Sequence, residues 1–111
     1  MPMPTTVVRG NILFSVLLGV QLAPASVAAN TTAEQTFTVP GLLLGVDFVN
    51  CVKPSFQAGL SIGNCRVSAN NTVAITYSNN TASPIVPTTE VYQFGVDRFE
   101  DAGLPFPAAI T

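Results

Sequence analysis

The chain has 111 residues, enough for one domain around a single core. Apolar residues make up 48% but charged residues only 9%, with a net charge of −2, so the surface must be largely neutral and polar, and a monomer with such a surface is prone to associate. The only cations, Arg9, Lys53, Arg66 and Arg98, are scattered, which excludes a basic patch for nucleic acid, and there is no His, the commonest general base and metal ligand.

Met1 to Gly10, "MPMPTTVVRG", is polar and holds two prolines. It has no helical period and predicts an extended arm. Ile12 to Ala25 is apolar. As a helix it spans about 21 Å, short of a bilayer core of roughly 30 Å. Gln21 and Pro24 interrupt it, so no membrane partner is expected. Two readings of this segment stand side by side. Arg9, the apolar run and the small residues Val27-Ala28-Ala29 have the pattern of a signal peptide cleaved before Asn30. The content of Ile12, Phe14, Val16 and Val20 suits a β-strand or arm packed on the domain or on a neighbour.

From Asn30 onward the pattern is strands and turns. "EQTFTVPG" alternates, with Phe37 and Val39 on one side and Thr36 and Thr38 on the other. Pro40-Gly41 marks a turn. "LLLGVDFVNCV" is a longer apolar run, with Val46 and Phe48 sharing a face and Gly45 as a bulge or kink. "KPSFQAG" is a turn region, "LSIGNCRVS" a weaker strand and "ANN" a turn. "TVAITYS" is the cleanest strand, with Val73, Ile75 and Tyr77 facing in and Thr72, Ala74 and Thr76 facing out. "NNTASPIVPTT" is a loop. "EVYQFGV" is a last strand with Tyr92, Phe94 and Val96 on one face. The tail from Asp97 to Thr111 carries Phe99, Leu104, Phe106 and Ile110 without a period, and Pro105-Phe106-Pro107 favours an extended path.

Six or seven short strands, with turns about every 8 to 12 residues, predict an all-β fold. The expected architecture is a single small β-sandwich, Ig-like or jelly-roll-like, with an extended N-terminal arm and C-terminal tail. The expected boundaries are 1–19 for the arm or first strand, 20–96 for the sandwich and 97–111 for the tail.

Chemistry is sparse. A hairpin centred near Ala58 places Cys51 and Cys65 opposite each other, and a disulfide there closes a loop worth roughly 3 kcal/mol in the chain-entropy model. The alternative, which is preferred, is two small buried thiols in a protein made in a reducing cytosol. Without His, the chain lacks a convincing zinc set. Sequons start at Asn30, Asn70 and Asn79, but turns select both Asn and Thr, and turn chemistry is the better reading. The carboxylates Glu34, Asp47, Glu90, Asp97, Glu100 and Asp101 are not spaced as a catalytic pair. Ser and Thr are plentiful, but little is present to activate one. The expectation is no enzyme, no catalytic residue, no cofactor and no metal.

"RVSANNTVAITYSNNTASPIVP", Arg66 to Pro87, resembles a stretch of small virion structural proteins of tailed bacteriophages. Its elements are an Arg-Val-Ser-Ala lead, a turn, a Thr-Val-x-Ile-Thr-Tyr strand, an Asn-containing turn and an Ile-x-Pro exit. "PASVAANTTAEQTFTVPGL", Pro24 to Leu42, looks like the companion segment opening the same domain. Together they bracket about two-thirds of the chain. The chain departs from the pattern in placing Val46 between Gly45 and Asp47 and in carrying two cysteines. The resemblance implies that "SVAANTTAEQTFTV" lies inside the folded domain, and that the protein is made in the host bacterial cytoplasm and needs no export signal.

The family includes capsid cement, fibre and collar modules. The implied function is a capsid cement, or decoration, protein on the outside of a phage head, bridging capsid subunits. Its partners would be the major capsid protein and neighbouring copies of itself, as a homo-oligomer taken to be a trimer. The expected contact segments are Met1 to Leu18 and Asp97 to Thr111, with Ile12, Phe14, Val16, Phe99, Leu104, Phe106 and Ile110 as contact residues. The rivals are a head-fibre, collar or tail-associated module, separable by copy number, and a secreted β domain whose cleaved lead makes no contacts.

Overall fold

The computed structural model of the chain describes residues 12–100. Six strands follow in order: β1 (Ile12–Leu22), β2 (Thr31–Thr38), β3 (Asp47–Val52), β4 (Leu60–Ala69), β5 (Thr72–Asn79) and β6 (Glu90–Phe99). They form two three-stranded sheets, β1-β6-β3 and β2-β5-β4, and every pairing is antiparallel. Among the described residues there is no helix. The fold is the all-β class that the alternating pattern predicts.

Only one of the five connections is a hairpin within a sheet. It is the β4–β5 turn at Asn70-Asn71, where Asn71 takes the left-handed conformation at φ 62°, which Asn tolerates better than most side chains. The other four connections cross from one sheet to the other. The turn is locked from outside. Asn71 Oδ1 accepts from Gly41 N at 2.7 Å, and Asn70 Oδ1 accepts from Leu44 N at 2.9 Å. The sequon residues thus serve backbone geometry, as does Asn30 at φ 50°.

The core lies between the inner faces. Val73, Ile75 and Tyr77 of β5 face Tyr92, Phe94 and Val96 of β6, and all six are buried. These strands contribute most because each is central in its sheet, flanked on both edges and covered by the opposite sheet. Val39, Leu42, Val49, Val67, Leu22 and Val27 close the cluster. Burial at this density sets the scale of stability, because fully burying a Val, Ile or Phe side chain is worth about 1.5–3 kcal/mol.

Two positions differ in detail from the strand pattern, Ala74 in its burial and Val46 in lying before the strand that carries Phe48. Ala74 faces away from the core but is fully buried. Arg66 on β4 bonds Glu34 on β2 through two contacts of 2.9 and 2.8 Å. That bridge crosses over β5, where Ala74 stands opposite Arg66, so the small methyl is roofed by the arginine stem. The second difference concerns Val46 and Phe48. Gly45 takes φ 94° and the chain turns before Asp47. β3 starts after that turn, so Val49 and Cys51 face inward and Phe48 is 62% exposed.

β1 crosses the expected boundary at residue 19, and β6 continues past the one at residue 96. The two strands pair from Ile12–Phe99 to Leu22–Glu90, and this long ladder carries both across those limits. The Met1–Gly10 arm and the tail from Asp101 onward lie outside the described residues.

Candidate functional site

Among the described residues, Asp47, Glu34, Glu90 and their cationic partners are engaged in holding the fold. Asp47 has no exposed side-chain surface and accepts three bonds: Arg98 Nε to Oδ1 at 2.7 Å, Arg98 Nη2 to Oδ2 at 2.8 Å and Leu43 N to Oδ2 at 2.9 Å. The Arg98 bonds hold its carboxyl below the ordinary range, against the opposing effect of burial. Arg98 also donates to Gly41 O at 2.6 Å and lies over the Phe14 ring, 4.8 Å from its centroid. One guanidinium therefore ties β6 to β3, to the 41–43 turn and to β1.

The only Ser–Lys–carboxylate cluster shows the same logic. Lys53 Nζ lies 3.1 Å from Glu90 and donates to Ser55 O at 2.8 Å, while Ser55 Oγ donates to Glu90 at 2.7 Å. Burial pushes the Glu90 carboxyl up, but the Ser55 and Lys53 bonds outweigh it and the net shift is downward. The arrangement anchors the β3–β4 connection to the start of β6. With Glu34–Arg66, every described cation has a carboxylate partner. No group of three metal-ligating side chains occurs among the described residues.

The cysteines meet in a way that differs from the expected hairpin. Cys51 is on β3 and Cys65 on β4, and these strands belong to different sheets. Their side chains converge from opposite inner faces against the core, near enough for each to shift the other's ionisation; both thiols are free and partly buried. The loop between them crosses the sandwich, and so strands seven residues either side of Ala58 do not share a ladder.

The surface that stands out is the β1-β6-β3 sheet. On its outer face, Leu17 is 70% exposed, and Phe48, Val52 and Val91 are also open to solvent. The register puts Leu17, Gly95 and Asn50 in one row and Ser15, Asp97 and Phe48 in the next, so Gly95 leaves a shallow floor between Leu17 and Asn50. The outer face of the other sheet is different: Thr32, Glu34, Thr36 and Thr38 on β2 meet Ser78, Thr76, Ala74 and Thr72 on β5. One outer face mixes exposed apolar side chains with polar ones, and the other is hydroxyl-rich.

β1 adds an edge to the mixed face. Its 11 residues, ILFSVLLGVQL, contain no charge and no proline, the two devices that usually protect an edge strand. Among the described residues no strand pairs with its outer edge. Its inward side chains grow more exposed toward the N-terminus, from buried Leu22 through half-buried Val20 and Leu18 to exposed Val16 and Phe14. There the opposite sheet no longer covers them. Phe14, Val16, Leu18, Leu42 and Val96 line an apolar groove of about 310 Å³ with the Asp47–Arg98 pair at its rim.

Of the expected contact residues, Phe14 and Val16 share this inward side of β1, while the register shift after Ile12 breaks the alternation and pairs Ile12 with Phe99 at the end of the partner strand. Leu104, Phe106 and Ile110 lie outside the described residues. The sequence pattern missed the outward half of the surface, Leu17 with Phe48 and Val52. Its signal was present in the second phase of the β1 alternation and in the even-numbered apolar positions of β3, Phe48 and Val52. Comparison with protein-family models, with curated proteins and with solved structures finds no match to the chain.

Proposed function

We propose that this chain is a structural protein of a tailed-phage virion, and within that class a capsid cement protein that bridges subunits on the outside of the head. The observation that carries the reading is the β1 edge with the exposed apolar side chains of its outer face. A long, uncharged edge strand with no strand partner among the described residues, beside exposed leucine and phenylalanine, is a liability in a free monomer and an asset in an assembly. Strand addition along β1 supplies backbone hydrogen bonds, and those apolar side chains supply burial. Repetition of a modest contact over a symmetric shell gives avidity without a tight single site. The low charge of the chain and the resemblance of Arg66–Pro87 support the same reading. On this reading the protein is no enzyme, and its partners are the major capsid protein and further copies of itself.

The lead segment bears on the secreted alternative. A cleaved leader needs to make no contacts, whereas Ile12–Leu22 runs the length of β6 and puts Leu22 in the core.

The deciding experiment is quantitative mass spectrometry of purified particles from the source phage. Hundreds of copies per particle identify a cement protein. A dozen or fewer identify a collar or fibre module. Absence from the particle overturns the virion assignment.

A further inference from the structure

Of the strands of opposite sheets, β3 and β4 lie side by side over the longest stretch, with Cα atoms within 8 Å. At this junction the only two thiols of the chain point toward each other from opposite inner faces, Cys51 in register with Phe94 and Cys65 with Ile75. Both pack against the core cluster, so their side chains are held by their surroundings. Cys51 also lines an open cleft of about 370 Å³ with Pro54, Phe56 and Ile62, whereas Cys65 does not. Both thiols are partly buried, and Cys51 is the one that faces a small molecule held in the cleft.

We propose that Cys51 and Cys65 form a disulfide-exchange site in which a small-molecule disulfide oxidises the pair to a covalent staple between the two sheets. The Cys51 thiolate attacks one sulfur of the incoming disulfide and expels the other as a thiolate. Cys65 then loses its proton and attacks the Cys51 sulfur of the mixed disulfide, expelling the second small thiol. One small disulfide is reduced to two thiols, and two protein thiols become one disulfide. The roles follow from access, and the electrostatics agree: the nearby Cys65 lowers the Cys51 thiol, while the nearby Cys51 and burial raise Cys65. The two sheets are otherwise joined by core packing and by the connections that cross between them. The staple therefore adds a direct cross-link next to the loop most exposed in its middle, where Phe56 is 87% open.

The test uses the full chain, purified reduced and equilibrated with oxidised and reduced glutathione over a range of ratios. The expected product is a monomer two hydrogens lighter, with a Cys51–Cys65 cross-linked peptide on digestion. Its Tm rises on the order of 10 °C and returns on addition of dithiothreitol. Cys65→Ser accumulates glutathione on Cys51, and Cys51→Ser takes up at least about tenfold less. Thiols that stay free in oxidised glutathione overturn the proposal, as does a wild-type product that is only a glutathione adduct or an intermolecular dimer. Equal labelling of the two single variants overturns the division of roles. The proposal concerns the thiols alone and stands or falls independently of the virion reading.

Discussion

The hydroxyls of Tyr77 and Tyr92 meet at 2.9 Å in the middle of the sandwich, where both side chains are fully buried. Tyr77 belongs to β5 and Tyr92 to β6, so this single bond links the central strands of the two sheets. Burial, then the bond to Tyr92, pushes the Tyr77 hydroxyl well above its usual range. Both groups therefore stay neutral, and each satisfies the other inside the core.

A double-mutant cycle should expose that reciprocity. Tyr77→Phe or Tyr92→Phe alone leaves one buried hydroxyl without its partner and costs about 1–3 kcal/mol. The double variant has no orphan and should cost less than the sum of the two. Chemical denaturation of the four proteins measures the coupling directly.

Acid should unfold the protein in part through Asp47. Its carboxyl is lowered in the folded state from the ordinary value of 3.8, chiefly by the Arg98 bonds. Between the lowered value and 3.8 the unfolded chain binds more protons than the folded one. The stabilisation is thus complete above about 3.8 and is lost as pH falls through the lowered value. Glu34 and Glu90 shift the same way. Denaturation midpoints measured from pH 7 down to pH 2 should fall steeply below pH 4, and Asp47→Asn should flatten part of that slope.

Asn79 is the polar hub at the end of β5, only 2% exposed. Its Nδ2 donates to Val27 O at 3.1 Å and Ser83 O at 2.8 Å, and its Oδ1 accepts from Thr81 N at 2.9 Å. These bonds seat the isolated bridge between Val27 and Ile85. Asn79→Ala strands a Thr81 amide and should cost about 1–3 kcal/mol. Hydrogen exchange should show the amides of Val27 and Ile85 losing protection first.

Leu17→Lys separates assembly from folding. Leu17 is mostly exposed, so the change should alter stability by less than about 0.5 kcal/mol. A charge among the exposed apolar side chains beside the β1 edge should sharply weaken self-association in sedimentation and lower occupancy on particles. Unchanged association would remove this face from the assembly surface.

Gly59 gives a conformational test. It takes φ 83°, and a Cβ there would run into the Thr81 side chain. Gly59→Ala should destabilise the protein by more than about 1 kcal/mol, and Thr81→Ser should recover part of the loss by relieving the clash. Differential scanning calorimetry of the three variants would show it.

Much of this protein was decided by local pattern. Strict alternation in "TVAITYS" and "EVYQFGV" put Val73, Ile75, Tyr77, Tyr92, Phe94 and Val96 on inner faces, because a two-residue period admits one buried side. Prolines, glycines and Asn-Asn pairs placed the turns, because few other residues tolerate those backbone angles. What local pattern left open depends on which strands become neighbours. Phe48 faces out because the turn at Gly45 resets the phase of β3. Ala74 is buried because Arg66 and Glu34, distant in sequence, reach each other over it. Cys51 and Cys65 meet between sheets rather than along a hairpin, because four of the five connections cross the sandwich. Alternation along a strand is a property of the chain, whereas pairing across strands and sheets belongs to the packed core. Only tertiary structure could bring the thiols and the tyrosines together and gather the exposed apolar side chains on one face.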